Sequence, residues 1–327
     1  MNIKDAKWYK ITNKNGMEAT LLNYGATLTS LKIPIHNNEL VDVVLGFSNI
    51  EDYVKSFEID GAPFFGAIVG RYAGRINNGN FVLNGTNIQL NKNHKNHTLH
   101  GGFQNFSNSI WKLKAISHKE NPFVTLEYIS QDNEENFPGT LTLEVTYTLT
   151  EENELKVSYN ASTDKDTIIN ITQHSYFNLN GHQSHVLDQK LLVFADEILE
   201  TNPDLIPTGT FINLENHEFN FKKPKNCPEI IDTTFVLKQQ EAAQLISEKN
   251  NLKMSVYTTQ PAVHIYVGGN CNHQIKGKEN ANYHKTSGIC FETQNYPDAP
   301  NHPHFPNAIL KKEESYQHET VFKFKKI

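Results

Sequence analysis

Glu292 closes the apolar run Ile289-Cys290-Phe291 and precedes a loop carrying Pro297, Pro300, Pro303 and Pro306. The apolar run reads as a buried strand, and the prolines after it cannot extend a sheet ladder. A rigid element thus delivers one carboxylate to the edge of an irregular loop, a placement suited to proton transfer. His174 is a second candidate, flanked by apolar and aromatic residues in Asn170–Asn180, NITQHSYFNLN. In a strand such a histidine is ordinarily a hydrogen-bonded structural residue. His100 is a third, preceding the Gly-Gly pair of LHGG, where glycines allow a tight turn or close approach by a ligand. Arg75 and Arg71 lie in GRYAGRI, where the ordinary role of either is a surface salt bridge. A carboxylate and an imidazole can act as general base and general acid near neutral pH without a metal or redox cofactor.

The histidines also raise a metal alternative, because His94, His97 and His100 recur at three-residue spacing. The surrounding NKNHKNHTLHGG reads as loop, and no nearby carboxylate or cysteine completes a ligand set. No metal and no cofactor is expected.

The elements that must hold these groups are strands. Thr140–Thr150, TLTLEVTYTLT, places Leu141, Leu143, Val145, Tyr147 and Leu149 on one face. A polar EENE turn leads into Leu155, Val157 and Tyr159 in the same phase, which predicts a hairpin. Asn84-Gly85 within Phe81–Leu90 is a strong hairpin signal. Leu21–Ile33, Val124–Ile129, Leu191–Phe194 and Val263–Val267 also read as strands, and the basic C-terminus as an alternating edge strand. Lys238–Glu248 reads equally as a short helix or as part of another hairpin. Frequent turns, little helix and no linker predict one domain over residues 1–327, all-β, a large antiparallel sandwich.

Composition narrows the partners. Apolar content of 38% and charged content of 20% suit a globular protein with a large core. A formal net charge of −6 argues against nucleic acid, which needs a basic face. The longest apolar stretch, around Phe64–Gly70, is too short to span a bilayer. Three cysteines without a C-x-x-C pair, and an N-terminus lacking a signal peptide's apolar segment, point to a cytoplasmic protein.

The stretches VGRYAGRI, LHGG, NITQHSYFNL, IDTTFVL, VYTTQPAVHIYVGGN and ETQNYPDAPNHPHFP occur in one order along the chain. In that order and spacing the sequence resembles the aldose 1-epimerases, or galactose mutarotases, over nearly its whole length. The resemblance implies a β-sandwich with a concave face that binds a free aldose sugar, and a protein that is a monomer or homodimer. It implies Glu292 as general base, His174 as general acid and His100 as the histidine near the ring oxygen. Arg75 and Asp232 then hold sugar hydroxyls, with His264, Gly74 and Tyr176 as further substrate contacts. Gly74 stands where the family often has Asn, Gln173 where Asn is usual, His264 where Gln is frequent, and Lys312-Glu313-Glu314 replaces a Pro-Gly-Glu loop. The first three of these departures touch expected sugar contacts.

The reaction matches the residue types. Interconverting anomers requires taking a proton from the C1 hydroxyl and giving one to the ring oxygen, with a base and an acid on opposite sides of the hemiacetal. Two rivals stand beside it. A glycoside hydrolase would use two carboxylates, Glu292 with Asp232 or Asp298, but leaves the histidines idle. A non-catalytic sugar-binding or sensing protein of this fold would be expected to lack Glu292 or His174, and both are present.

Overall fold

A computed structural model describes residues 3–36, 39–271 and 274–327. The larger of its two main sheets has nine strands. Their spatial order is Lys112–Ser117, Phe123–Ser130, Leu141–Leu149, Glu154–Thr163, Ser315–Lys326, Leu252–Thr258, Glu241–Ser247, Lys190–Val193 and Lys225–Asn226. The alternation of Leu141–Leu149 is met in full, with every apolar residue from Leu141 to Leu149 buried and the intervening ones half-exposed. The second sheet has six strands in the order Tyr176–Phe177, Ile289–Gln294, Ala262–Val267, Ile231–Leu237, Ala195–Thr201 and Pro207–Asn213. Every pairing within these two sheets is antiparallel. A four-stranded sheet, Trp8–Thr12, Glu18–Leu22, Thr27–Pro34 and Leu40–Asp42, adds its apolar face to the same core.

The two main sheets pack through their apolar faces. Phe177 and Phe291 of the six-stranded sheet and Phe322 of the nine-stranded one lie in one core, with the Phe177 and Phe322 rings 4.8 Å apart. This is a β-sandwich, whose inner faces are filled by every second residue of each strand.

Two local expectations change and one open alternative is decided. Ser315–Lys326 runs between Glu154–Thr163 and Leu252–Thr258, at the sheet's interior and not at its edge. The alternation of lysines with buried Phe322 and Phe324 fits any antiparallel strand with one solvated face, central or edge. The ambiguous Lys238–Glu248 segment forms a strand, Glu241–Ser247, which hairpins onto Leu252–Thr258. Arg71 makes no surface salt bridge. It is 2% exposed, and its guanidinium donates to the carbonyls of Pro138 and Gly139 and to Ser130 Oγ, which locks the loop after Phe123–Ser130.

The Asn84-Gly85 hairpin forms as expected, with both residues at positive φ between Asn80–Leu83 and Thr86–Gln89. Among the described residues no helix is long and apolar enough to cross a membrane, and all three cysteines are free and buried.

Candidate active site

Period-two geometry builds the floor of a cavity on the outer face of the six-stranded sheet. In Ile289–Gln294, Ile289 and Phe291 enter the core, so Glu292 and Gln294 point the other way. In Ala262–Val267, Val263, Ile265 and Val267 are core and His264 and Tyr266 face the cavity. In Ile231–Leu237, Ile231 and Phe235 are core and Asp232 and Thr234 face it. Register then aligns Thr234, His264 and Glu292 in one row across three strands, and Asp232, Tyr266 and Cys290 in the next.

His174 comes from an interruption in structure. The strands Thr172–Gln173 and Tyr176–Phe177 belong to different sheets, and His174 sits at the break between them. Its backbone is clamped by the turn Phe64–Ala67: His174 donates its N–H to the Ala67 carbonyl, and its own carbonyl accepts from Gly66. Its Nε2 lies 3.5 Å from Glu292 Oε1. Its Nδ1 lies 3.6 Å from Cys290 Sγ, and burial holds that cysteine in the thiol form by raising its pKa well above the usual range.

His100 enters from the LHGG turn with φ of 52°. Gly101 and Gly102 both have positive φ, and a Cβ on Gly101 would fall 2.1 Å from the Gly70 carbonyl oxygen, so the turn tolerates only glycine there. The Gly74 N–H donates to His100 Nδ1 at 3.3 Å. That bond assigns the neutral ring a proton on Nε2. Burial, aided by His174 and Arg75, pushes the His100 pKa well below its ordinary value and keeps it neutral.

Arg75 and Gly74 line the cavity and are set by the proline-rich loop. Asp298 donates its N–H to the Arg75 carbonyl, and Pro297 packs where a Cβ on Gly74 would meet it at 3.0 Å. Buried Asn170 ties three segments together: its amide donates to the carbonyls of Ala73 and Asn295, and its Oδ1 accepts from the Asn295 N–H. Asp232 is held by His264, with Nε2 2.9 Å from Oδ1, and His264 Nδ1 is 2.8 Å from Thr234 Oγ1.

Seven of the eight residues expected from the sequence therefore surround one cavity: Glu292, His174, His100, Arg75, Asp232, His264 and Gly74. Tyr176 does not line it. It is fully buried behind His174, its ring stacked on the imidazole at 5.3 Å between centroids, because its strand directs it into an aromatic cluster with Phe65. Gln173 is also withdrawn, buried with its amide on the Gly66 carbonyl. Asp298 is 1% exposed and committed to Asn77 N–H and Asn301, away from the cavity.

His94 and His97 bridge each other in a loop, and the Asn78 N–H donates to His97 Nδ1. Among the described residues the group whose donor atoms converge is His100, His174 and Glu292, all within 4.8 Å.

Several cavity residues were missed in the sequence. Thr234, Tyr266 and Gln294 were available from alternation, being two residues from Asp232, His264 and Glu292. Phe64, which packs against the two histidines without lining the cavity, carried no local signal. It is a bulky residue at φ of 54°, and its ring lies 5.1 Å from the His100 ring and 5.9 Å from that of His174.

The family model for aldose 1-epimerase matches residues 7–323. The chain belongs to the aldose 1-epimerase family. It is 37% identical to the galactose mutarotase of Bos taurus over 321 residues, covering 94% of this chain and 91% of that one. It is 32% identical to the aldose 1-epimerase of Escherichia coli K12 over 333 residues, covering 96% and 94%. Among solved structures, the aldose epimerase homologue from C. elegans superposes with a TM-score of 0.91 at 29% identity, covering 98% of this chain and 99% of that one. The galactose 1-epimerase of Lactobacillus acidophilus superposes at 0.84 with 27% identity and 98% coverage of each chain. Family membership accords with the sandwich fold.

Proposed function

We propose that this cavity opens and recloses the ring of a free aldose, interconverting its α and β anomers, with D-galactose and D-glucose as substrates. The observation that carries the reading is the convergence of one carboxylate and two imidazoles, Glu292, His174 and His100, within 4.8 Å. Beside them the cavity has both a cation, Arg75, and an anion, Asp232, for hydroxyl recognition.

Glu292 takes the proton of the C1 hydroxyl while His174 protonates the ring oxygen. The C1–O bond to the ring breaks, the C1–C2 bond turns, and the ring recloses on the other face of the aldehyde with the protons returned. His100, neutral with its proton on Nε2, is a hydrogen-bond donor to the ring oxygen region and no competitor for the catalytic proton. Arg75 donates to hydroxyls and Asp232 accepts from them, so a sugar lacking a matched hydroxyl leaves a buried polar group unpaired. The residues needed are all side chains of this protein, and the reading calls for no metal or cofactor.

The glycosidase alternative weakens, since Asp298 is turned away and Asp232 is bonded to His264. Three free thiols support a reducing compartment, the cytoplasm. Polarimetry on freshly dissolved α-D-galactose and α-D-glucose tests the proposal. The protein should accelerate the drift in rotation in proportion to its concentration. No acceleration with any aldose would leave it a sugar-binding protein.

A further inference from the structure

His264 occupies the middle of the cavity floor, and its surroundings are unusual for a residue that only touches a hydroxyl. On one side Ile231–Leu237 presents Asp232 and Thr234; on the other, Ile289–Gln294 presents Glu292 directly opposite in register. Both imidazole nitrogens are engaged within the protein, Nε2 with Asp232 Oδ1 at 2.9 Å and Nδ1 with Thr234 Oγ1 at 2.8 Å. The other charged or titratable groups facing the cavity are Arg75, His100 and His174, with the Tyr266 phenol beside it on the same strand.

A carboxylate only accepts, so Nε2 carries a proton in either charge state. The Thr234 hydroxyl is a rotor that both donates and accepts. When His264 is neutral, the hydroxyl donates to Nδ1. When His264 is charged, Nδ1–H donates to the hydroxyl oxygen. The imidazole can therefore gain or lose a proton without forfeiting either hydrogen bond.

We infer that Asp232, His264 and Thr234 form a proton-accepting unit that places a switchable positive charge beside Glu292, so that His264 is a positioning residue which keeps the base ionised in mildly acidic conditions. The inference rests on the epimerase reading of the same cavity. Burial opposes the imidazolium and is the largest single influence, but the Asp232 hydrogen bond and the negative charges of Asp232 and Glu292 together outweigh it and raise the His264 pKa above its ordinary value, while Asp232 is lowered in return. Cross-strand neighbours on one face are about 5 Å apart at Cβ. A unit charge at that range is enough to move a titration by about one pH unit.

Two measurements on the full-length protein test this. The first is the pH profile of kcat/KM for wild type and His264→Gln, each normalised to its own plateau; glutamine keeps a donor and an acceptor but cannot titrate. The acid limb should move upward by about one pH unit in the variant. Superimposable acid limbs would overturn the inference. The second is proton NMR titration of the His264 Cε1–H, assigned by its loss in His264→Gln. Its midpoint should lie above that of an ordinary histidine and fall in Asp232→Asn. A midpoint indifferent to Asp232→Asn would equally overturn it. The titration needs no substrate, so a wild-type protein without mutarotation would refute the epimerase reading while leaving the unit itself measured.

Discussion

His174 Nε2 lies 3.5 Å from Glu292 Oε1, with the two side chains only 7% and 4% exposed. The sequence reading expected acid and base on opposite sides of the hemiacetal, and the structure brings them side by side. The proposed mechanism accommodates the closeness: the hydroxyl oxygen that would lose a proton and the ring oxygen that would gain one are bonded to the same carbon, so neighbouring groups can serve both.

Glu292→Gln removes the proton acceptor and keeps the side chain's shape. Mutarotation should fall by about 10² to 10⁴, the usual worth of general acid–base catalysis, with an unchanged thermal melt. Polarimetry on a folded variant decides it; retention of most activity would remove Glu292 from the role of base.

The two histidines should separate kinetically. His174→Asn should lower kcat far more than it raises KM, since its proton matters while the ring bond breaks. His100→Asn should disturb both, because a neutral Nε2–H donor holds the sugar in the ground state as well. Wild-type kcat/KM should follow a bell in pH whose limbs belong to the Glu292–His174 pair. A His174→Asn protein with near-normal turnover and an unchanged alkaline limb would contradict the assignment.

What could be read in advance follows from which physical signals are local. Alternation is local, so the hairpin Leu141–Leu149 with Glu154–Thr163 was legible, as was the delivery of Glu292 by a buried strand. Alternation does not report a strand's neighbours, which is why Ser315–Lys326 was misplaced at an edge. The withdrawal of Tyr176 depends on the chain changing sheets at His174, a long-range event without a local signature. Arg71 looked like any surface arginine because its acceptors are carbonyls about 67 and 68 residues away.

Chelation should not slow the reaction. His94 and His97 are paired with each other, and His100, His174 and Glu292 are each occupied by the proposed proton chemistry. After exhaustive EDTA dialysis the mutarotation rate should match the untreated protein. A loss restored by one divalent ion would reassign the cluster as a metal centre.

His318 predicts an acid-sensitive fold. It lies fully inside the sandwich, stacked on Tyr159 at 3.9 Å with Nε2 3.1 Å from the Ile171 carbonyl. Burial lowers its pKa from 6.5 to about 3. The unfolded chain takes up this proton below about pH 6.5 and the folded chain does not, so stability falls as pH drops from there towards 3. The slope from this one group approaches about 1.4 kcal/mol per pH unit. Urea unfolding at stepped pH should show a shallower decline for His318→Gln than for wild type between pH 6 and 4; parallel declines would mean that His318 is protonated in the fold.

Asp42 gives the complementary case away from the cavity. It is 8% exposed and accepts from Lys278 Nζ at 2.7 Å, Ser30 Oγ at 2.7 Å and the Leu31 N–H, with His182 Nε2 at 3.5 Å. Burial alone would raise its pKa, but Lys278 and His182 together hold it well below the ordinary carboxylate range. Lys278 is also bonded to the Thr29 carbonyl, so the pair fastens the segment before Ile289–Gln294 to the four-stranded sheet. A lowered carboxylate stabilises above its unfolded pKa of about 3.9, and that contribution disappears as pH falls below it. Asp42→Asn leaves the Lys278 ammonium buried without its counter-ion and should cost about 3–5 kcal/mol in urea unfolding at pH 7. Asp42→Asn with Lys278→Met removes the stranded charge and should recover part of that loss. Equal stability of the single and double variants would show that Lys278 is not left stranded once Asp42 is neutralised.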